Sequence, residues 1–118
     1  MHSGDELAEE LEALSGKKIV VEGKKDINSL SKLGIHNVHP LARPLYLEIE
    51  ELAEEDELVI LTDLDREGKK LYSKLAGELR LRGVRIDDRF REYLLRSKIS
   101  HIEGLYTYLK RRFPDLFV

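Results

Sequence analysis

Apolar residues fall along this chain in two rhythms, one helical and one extended. Leu7, Ala8, Leu11 and Leu14 recur at helical spacing and Gly16 ends the run, which predicts a first helix. Lys18-Ile19-Val20-Val21-Glu22 predicts a strand, followed by a turn at Gly23. A second helix is expected from about Asp26, an N-cap type of residue, carrying Ile27, Leu30 and Leu33 inward as far as Gly34. A short strand around Val38 is closed by Pro40, and Pro44 suits the first turn of a third helix with Tyr46, Ile49 and Leu52 on one face. Leu58-Val59-Ile60-Leu61 is an unbroken apolar run, the mark of a strand buried on both faces. A helix from about Gly68 then bears Leu71, Tyr72, Leu75, Ala76 and Leu79, and Gly83 ends it. Val84-Arg85-Ile86 reads as a fourth strand, and Ile102, Leu105, Tyr106 and Leu109 share a face of a last helix that stops before Pro114.

Strands alternating with helices predict an α/β fold in three layers, α/β/α and Rossmann-like, around a mostly parallel sheet of about four strands joined by right-handed crossovers. The 118 residues contain no linker, repeat or low-complexity tract, so one domain spanning 1–118 is expected. Ligands of such sheets gather at the carboxyl ends of the strands. Glu22 ends the first strand and Asp63 ends the third, so the fold should bring these two acids to one rim.

The chemistry concentrates there. After the buried run come Thr62-Asp63-Leu64-Asp65-Arg66-Glu67-Gly68. Alternate positions of an extended segment point the same way, so Asp63 and Asp65 can reach one ion together. Carboxylates crowded at a strand end repel one another, and a hard cation, Mg²⁺ above all, would offset that cost. Lys24, Lys25, Arg66, Lys69 and Lys70 flank the acids, either to contact phosphate or to neutralise the cluster. His36, His39 and His101 show no zinc spacing and are assigned no metal.

Composition narrows the class. Hydrophobic residues make up 42% and charged residues 36%, a soluble globular balance. No apolar run approaches the roughly 20 residues needed to span a bilayer, and Met1-His2-Ser3-Gly4-Asp5-Glu6 lacks the regions of a signal peptide. The absence of cysteine excludes disulfides and thiolate metal sites, and a cytoplasmic location is expected. With no Gln, two Asn and one Met against many Lys, Arg and Glu, the chain has the pattern of a heat-adapted source. Net charge is −3, yet from Glu78 onward ten basic residues face six acidic ones. An arginine-rich end on an acidic body could hold a phosphate backbone beside a metal; a solvated surface of local ion pairs is the plainer alternative.

Three readings compete for residues 63–68. An EF-hand loop fits through Gly68 but fails at its twelfth position, which is Lys74 instead of a bidentate Glu. An aspartyl-nucleophile phosphatase also carries D-x-D after a strand, though on its first strand and with a different sequel. Neither accounts for Glu22-Gly23.

The third reading does. Val20-Val21-Glu22-Gly23-Lys24-Lys25-Asp26 together with Leu61-Thr62-Asp63-Leu64-Asp65-Arg66-Glu67-Gly68 resembles the two-part signature of the Toprim domain. That domain is shared by topoisomerases, bacterial-type primases, the nuclease that matures 5S ribosomal RNA and overcoming-lysogenization-type nucleases. The first part is similar to the "EG…D" element of primases and the 5S nuclease, the second to the "DxDxEG" of type IA topoisomerases. The resemblance implies a Toprim fold, Mg²⁺ (with Mn²⁺ as substitute) on Asp63 and Asp65 helped by Glu67, and a general acid or base at Glu22. It further implies phosphate contacts from Lys24, Arg66 and Lys69, a loop shaped by Gly23, Asp26 and Gly68, and an RNA or DNA partner. The implied activity is Mg²⁺-dependent cleavage or transfer at nucleic-acid phosphodiesters. The alternative is a non-catalytic nucleic-acid-binding or assembly module that keeps the metal site within a larger nucleic-acid-processing assembly. The transesterifying tyrosine and template-binding parts of the larger enzymes have no counterpart here, and Tyr46, Tyr72, Tyr93, Tyr106 and Tyr108 are given no nucleophilic role.

Overall fold

The two residue rhythms become two packing faces of one sheet. In the computed structural model, which describes residues 3–117, β1 (Ile19–Val21), β2 (Val38–Pro40), β3 (Glu57–Leu61) and β4 (Arg85–Ile86) lie in the order β2-β1-β3-β4. Every pairing is parallel, with Ile19 opposite both Val38 and Val59, and Leu58 opposite Ile86. Met1 and His2, which open the amino-terminal stretch read above, lie outside the described residues.

Side chains of a strand alternate between faces, so each buried strand feeds both layers. Ile19, Val21, Val59 and Leu61 enter one core with Leu7, Leu30, Phe90, Tyr93, Leu94, Ile102, Leu105 and Leu109. These come from α1 (Gly4–Glu12), α2 (Lys24–Ser31), α5 (Arg89–Leu95), a 3₁₀ turn at Ile102–Gly104 and α6 (Leu105–Arg112). Val20, Leu58 and Ile60 enter the opposite core with Ile49 and Leu52 of α3 (Leu45–Leu52) and Leu75, Ala76 and Leu79 of α4 (Arg66–Leu81). The result is the expected three-layer α/β/α arrangement.

Four local readings change. Helix α2 begins at Lys24, not at Asp26: Asp26 sits at its third position and its carboxylate accepts from the Gly23 N–H at 3.0 Å, so it caps the helix from inside. Helix α4 begins two residues before Gly68, because Asp65 caps it. Tyr46 is 66% exposed, and the buried face of α3 runs instead through Glu48, Ile49 and Leu52. Helix α5 was not foreseen; Phe90, Tyr93 and Leu94 do carry helical spacing, diluted by Arg89, Arg91 and Glu92.

Glu48 is buried because the loop after β2 needs its oxygens. Its carboxylate accepts from the N–H groups of Ala42 (2.8 Å) and Arg43 (3.2 Å), from the Arg43 guanidinium (2.9 Å), and lies 3.0 Å from His39 Nε2. Burial alone would raise its pKa; the bonds from Arg43, His39 and the two backbone N–H groups outweigh it and hold the group at about 2 against an ordinary 4.5. A depressed carboxyl stabilises the fold above its unfolded pKa and loses that contribution as pH falls through the folded one. Between about pH 4.5 and pH 2 the native chain should therefore lose on the order of 2–3 kcal/mol more stability than Glu48→Gln does. Urea titrations at several pH values would show it; parallel pH profiles for the two proteins would contradict it.

Candidate metal centre

Strands β1 and β3 end side by side, Val21 opposite Leu61, so the next residue of each chain segment leaves the sheet at the same rim. There the Asp63 N–H donates to Glu22 Oε2 at 2.8 Å. Two residues 41 apart in sequence are thereby joined, as the strand-end argument expected. The bond spends one oxygen of Glu22, and Oε1 accepts none of the hydrogen bonds found among the described residues.

The backbone next lifts the acidic segment onto helix α4. Asp65 Oδ1 accepts from the Gly68 N–H at 2.8 Å, and Thr62 Oγ1, wholly buried, donates to the Gly68 carbonyl at 2.8 Å. Asp65 is thus an N-cap through one oxygen and turns the other, Oδ2, toward the rim and His101. Asp63 is held in the same manner, its Oδ1 accepting from the Ile102 N–H at 2.9 Å. One ligand atom each from Asp63, Asp65 and His101 lie within 4.8 Å of one another. Two carboxylates, each oriented by a backbone N–H on one oxygen, form a donor set suited to a divalent cation.

Beneath the acids lies Arg91, 3% exposed, a residue that sequence reasoning did not single out. Its guanidinium donates to the carbonyls of Thr62 (2.8 Å), Asp63 (3.2 Å) and Ile60 (3.4 Å) and lies 4.4 Å from the centre of the Tyr72 ring. Burial lowers its pKa, while Tyr72, Asp88 and Glu22 oppose the shift. Its positive charge under the rim offsets repulsion among the carboxylates and satisfies carbonyls that a strand end leaves open. Only the helix that went unrecognised could have pointed to it.

The remaining predicted residues divide. Asp26 is buried beside Gly23, where burial pushes its carboxyl above the usual range; the Gly23 N–H opposes this, and Asp63, Glu22 and Glu103 add to it. Glu67, 82% exposed on the first turn of α4, lies 3.7 Å from Lys70 and outside the converging group. Lys24, Arg66 and Lys69 are exposed around the rim and form no ion pair among the described residues. Of the carboxyl-terminal arginines, Arg80, Arg82, Arg89 and Arg96 pair with Asp88, Glu78, Glu10 and Glu6, so the plainer reading holds for those four. Gly23 is extended, at φ −159°, with open space where a Cβ would stand, so the tight turn expected there is not what requires glycine. His101, assigned no metal from its spacing, stands at the cluster, its Nε2 3.3 Å from Asp65 Oδ2.

Among the described residues, no helix is long and apolar enough to cross a membrane. Compared with known proteins, residues 16–88 match the family model of the Toprim domain. A UPF0292 protein of Methanocaldococcus jannaschii is 36% identical over 115 residues, covering 91% of this chain and 90% of its own. Another, from Pyrococcus horikoshii, is 42% identical over 94 residues, covering 75% of this chain and 71% of its own. A solved structure of a protein from Aquifex aeolicus superposes with a TM-score of 0.74 at 33% identity, over 83% of this chain and 96% of that one. The paired strand ends, the acids they carry and these matches agree: the chain belongs to the Toprim domain family, among its UPF0292 members.

Proposed function

We propose that this protein carries out divalent-metal-dependent cleavage or transfer at nucleic-acid phosphodiesters, with Asp63 and Asp65 as the direct ligands and Glu67, which stands outside their group, helping only through the ion's waters. The observation that carries the reading is the bond from the Asp63 N–H to Glu22 Oε2, which holds a proton-transfer group against the residue that begins the metal motif. Mg²⁺ is the cation that two carboxylates and several waters suit, with Mn²⁺ as a substitute. When bound, the ion draws charge from the non-bridging phosphate oxygens.

The chain's own groups do the rest. Glu22, with Oε2 engaged, moves a proton through Oε1, taking it from the attacking hydroxyl or giving it to the leaving oxygen. Asp63 and Asp65 keep their orientation because backbone N–H groups of Ile102 and Gly68 hold one oxygen of each. Arg91 fixes the carbonyls of Thr62 and Asp63 from below, so the strand end does not recoil as charge changes at the rim. Lys24, Arg66 and Lys69, exposed around the rim, are the phosphate-contacting residues, and RNA or DNA is the partner.

Asp65→Ala should lower divalent-ion affinity about tenfold or more by titration calorimetry, with a parallel loss of product formation. Unchanged titration heats would remove the site. Nucleic-acid affinity should fall steeply as salt rises, since several phosphate contacts release counterions. Ion and nucleic-acid binding without product in any condition would instead mark a binding or assembly module.

A further inference from the structure

The rim carries one more donor than the acidic motif supplies. Residues Ser100–Ile102 are stitched to the acidic segment at both ends: the Leu64 N–H donates to the Ser100 carbonyl at 2.8 Å, and the Ile102 N–H donates to Asp63 Oδ1 at 2.9 Å. His101 stands between these two anchors. Its Nε2 lies 3.3 Å from Asp65 Oδ2, and its Nδ1 lies 2.8 Å from Ser100 Oγ. Metal-bound histidines are commonly oriented in this way, by a partner on the ring nitrogen that faces away from the ion. With Nδ1–H donating to the hydroxyl, Nε2 keeps the lone pair that a cation takes.

A second histidine–carboxylate group among the described residues provides the contrast. His39, Glu48 and Glu51 also converge, but the Arg43 guanidinium lies 2.9 Å from both Glu48 and Glu51, and the N–H groups of Ala42 and Arg43 take the second Glu48 oxygen. A fixed cation already fills that place. At the rim, no lysine or arginine pairs with the carboxylate of Asp63 or Asp65 among the described residues.

We propose that His101 is a third protein ligand of the ion at Asp63 and Asp65, and that its imidazole tips the preference from Mg²⁺ toward a first-row ion such as Mn²⁺. The proposal rests on the reading of this rim as a metal centre and makes that reading more specific. Mg²⁺ favours oxygen ligands and retained waters, so an imidazole nitrogen adds little to its binding. The same nitrogen strengthens binding of first-row transition ions.

The test is pulsed electron paramagnetic resonance on the Mn²⁺-loaded protein, with calorimetric titration of Mn²⁺ and Mg²⁺. It compares the wild-type chain, His101→Ala, and His36→Ala as an exposed control. The wild type and His36→Ala should show nitrogen modulation on the Mn²⁺ signal, and His101→Ala should lose it. Mn²⁺ affinity should fall about tenfold or more in His101→Ala, and Mg²⁺ affinity less than about threefold. His101 is exposed, so the variant is expected to fold, and circular dichroism checks this. Bound Mn²⁺ without nitrogen modulation in the wild type, or modulation that survives in His101→Ala, overturns the ligand assignment. Equal losses for both ions overturn the preference. A wild-type chain that binds neither ion overturns the metal-centre reading itself, an outcome distinct from an ion bound without nitrogen.

Discussion

Gly68→Ala should destabilise the protein by about 3 kcal/mol or more and disorder the acidic rim, whereas Gly77→Ala in the same helix should stabilise it by roughly 0.5–1 kcal/mol. The two glycines differ in what a side chain would meet. A Cβ on Gly68 would lie 2.1 Å from the Asp63 carbonyl oxygen, 2.5 Å from its carbon and 2.8 Å from its Cα, all backbone atoms that cannot swing aside. A Cβ on Gly77 would meet nothing within 4 Å. Gly68 is also bonded at both ends, its N–H to Asp65 Oδ1 and its carbonyl to Thr62 Oγ1. Relieving the clash must therefore pull helix α4 from the strand end or break both bonds. Urea unfolding of the two variants is the measurement; similar midpoints would show that this close approach is not what the site depends on.

Glu22→Gln should lower phosphodiester turnover about 10²- to 10⁴-fold while leaving divalent-ion affinity within about threefold of the wild type. The substitution is nearly isosteric and keeps a carbonyl oxygen able to accept from the Asp63 N–H, so the bond that joins the two strand ends survives. What it removes is the ability to carry a proton at the second oxygen. It also removes one negative charge from a crowded rim, so thermal stability should hold or rise slightly. Single-turnover rates at saturating metal, with calorimetry on the same samples, separate the two effects. Full activity in the variant would end the proton-transfer assignment. Lost metal binding would recast Glu22 as a ligand.

The α/β arrangement was legible because its signals are local. Ile19–Val21 and Leu58–Leu61 are apolar on both faces, and a parallel sheet covered by helices is the structure that uses such runs. The acids Glu22, Asp63 and Asp65 were legible because they follow within four residues of the ends of those strands, so placing the strands placed the acids. Residues that arrive from elsewhere in the chain carried no such signal. Arg91 reaches the strand-end carbonyls from a helix whose apolar positions are interrupted by charges, and its burial depends on carbonyls 28 to 31 residues away. His101 comes to the rim because the Leu64 N–H bonds the Ser100 carbonyl and the Ile102 N–H bonds the Asp63 carboxylate, a register that no spacing rule encodes. Glu48 carried no signal of its own and is 1% exposed, because a loop with two open N–H groups closes over it. Tyr46 was misplaced for the complementary reason, since the buried Glu48 takes the inward position on that helix.

Metal-dependent phosphodiester chemistry at the Glu22–Asp63–Asp65 rim is open to a single assay. The most direct measurement is a cleavage assay on a panel of labelled single- and double-stranded DNA and RNA, structured ribosomal precursors included. It would be run in Mg²⁺, in Mn²⁺ and in excess chelator, with Asp63→Asn as the paired protein. Products are expected in at least one of the two metals, none in chelator and none from the variant. Products that persist in chelator or from Asp63→Asn, or no product on any substrate in either metal, would contradict that assignment.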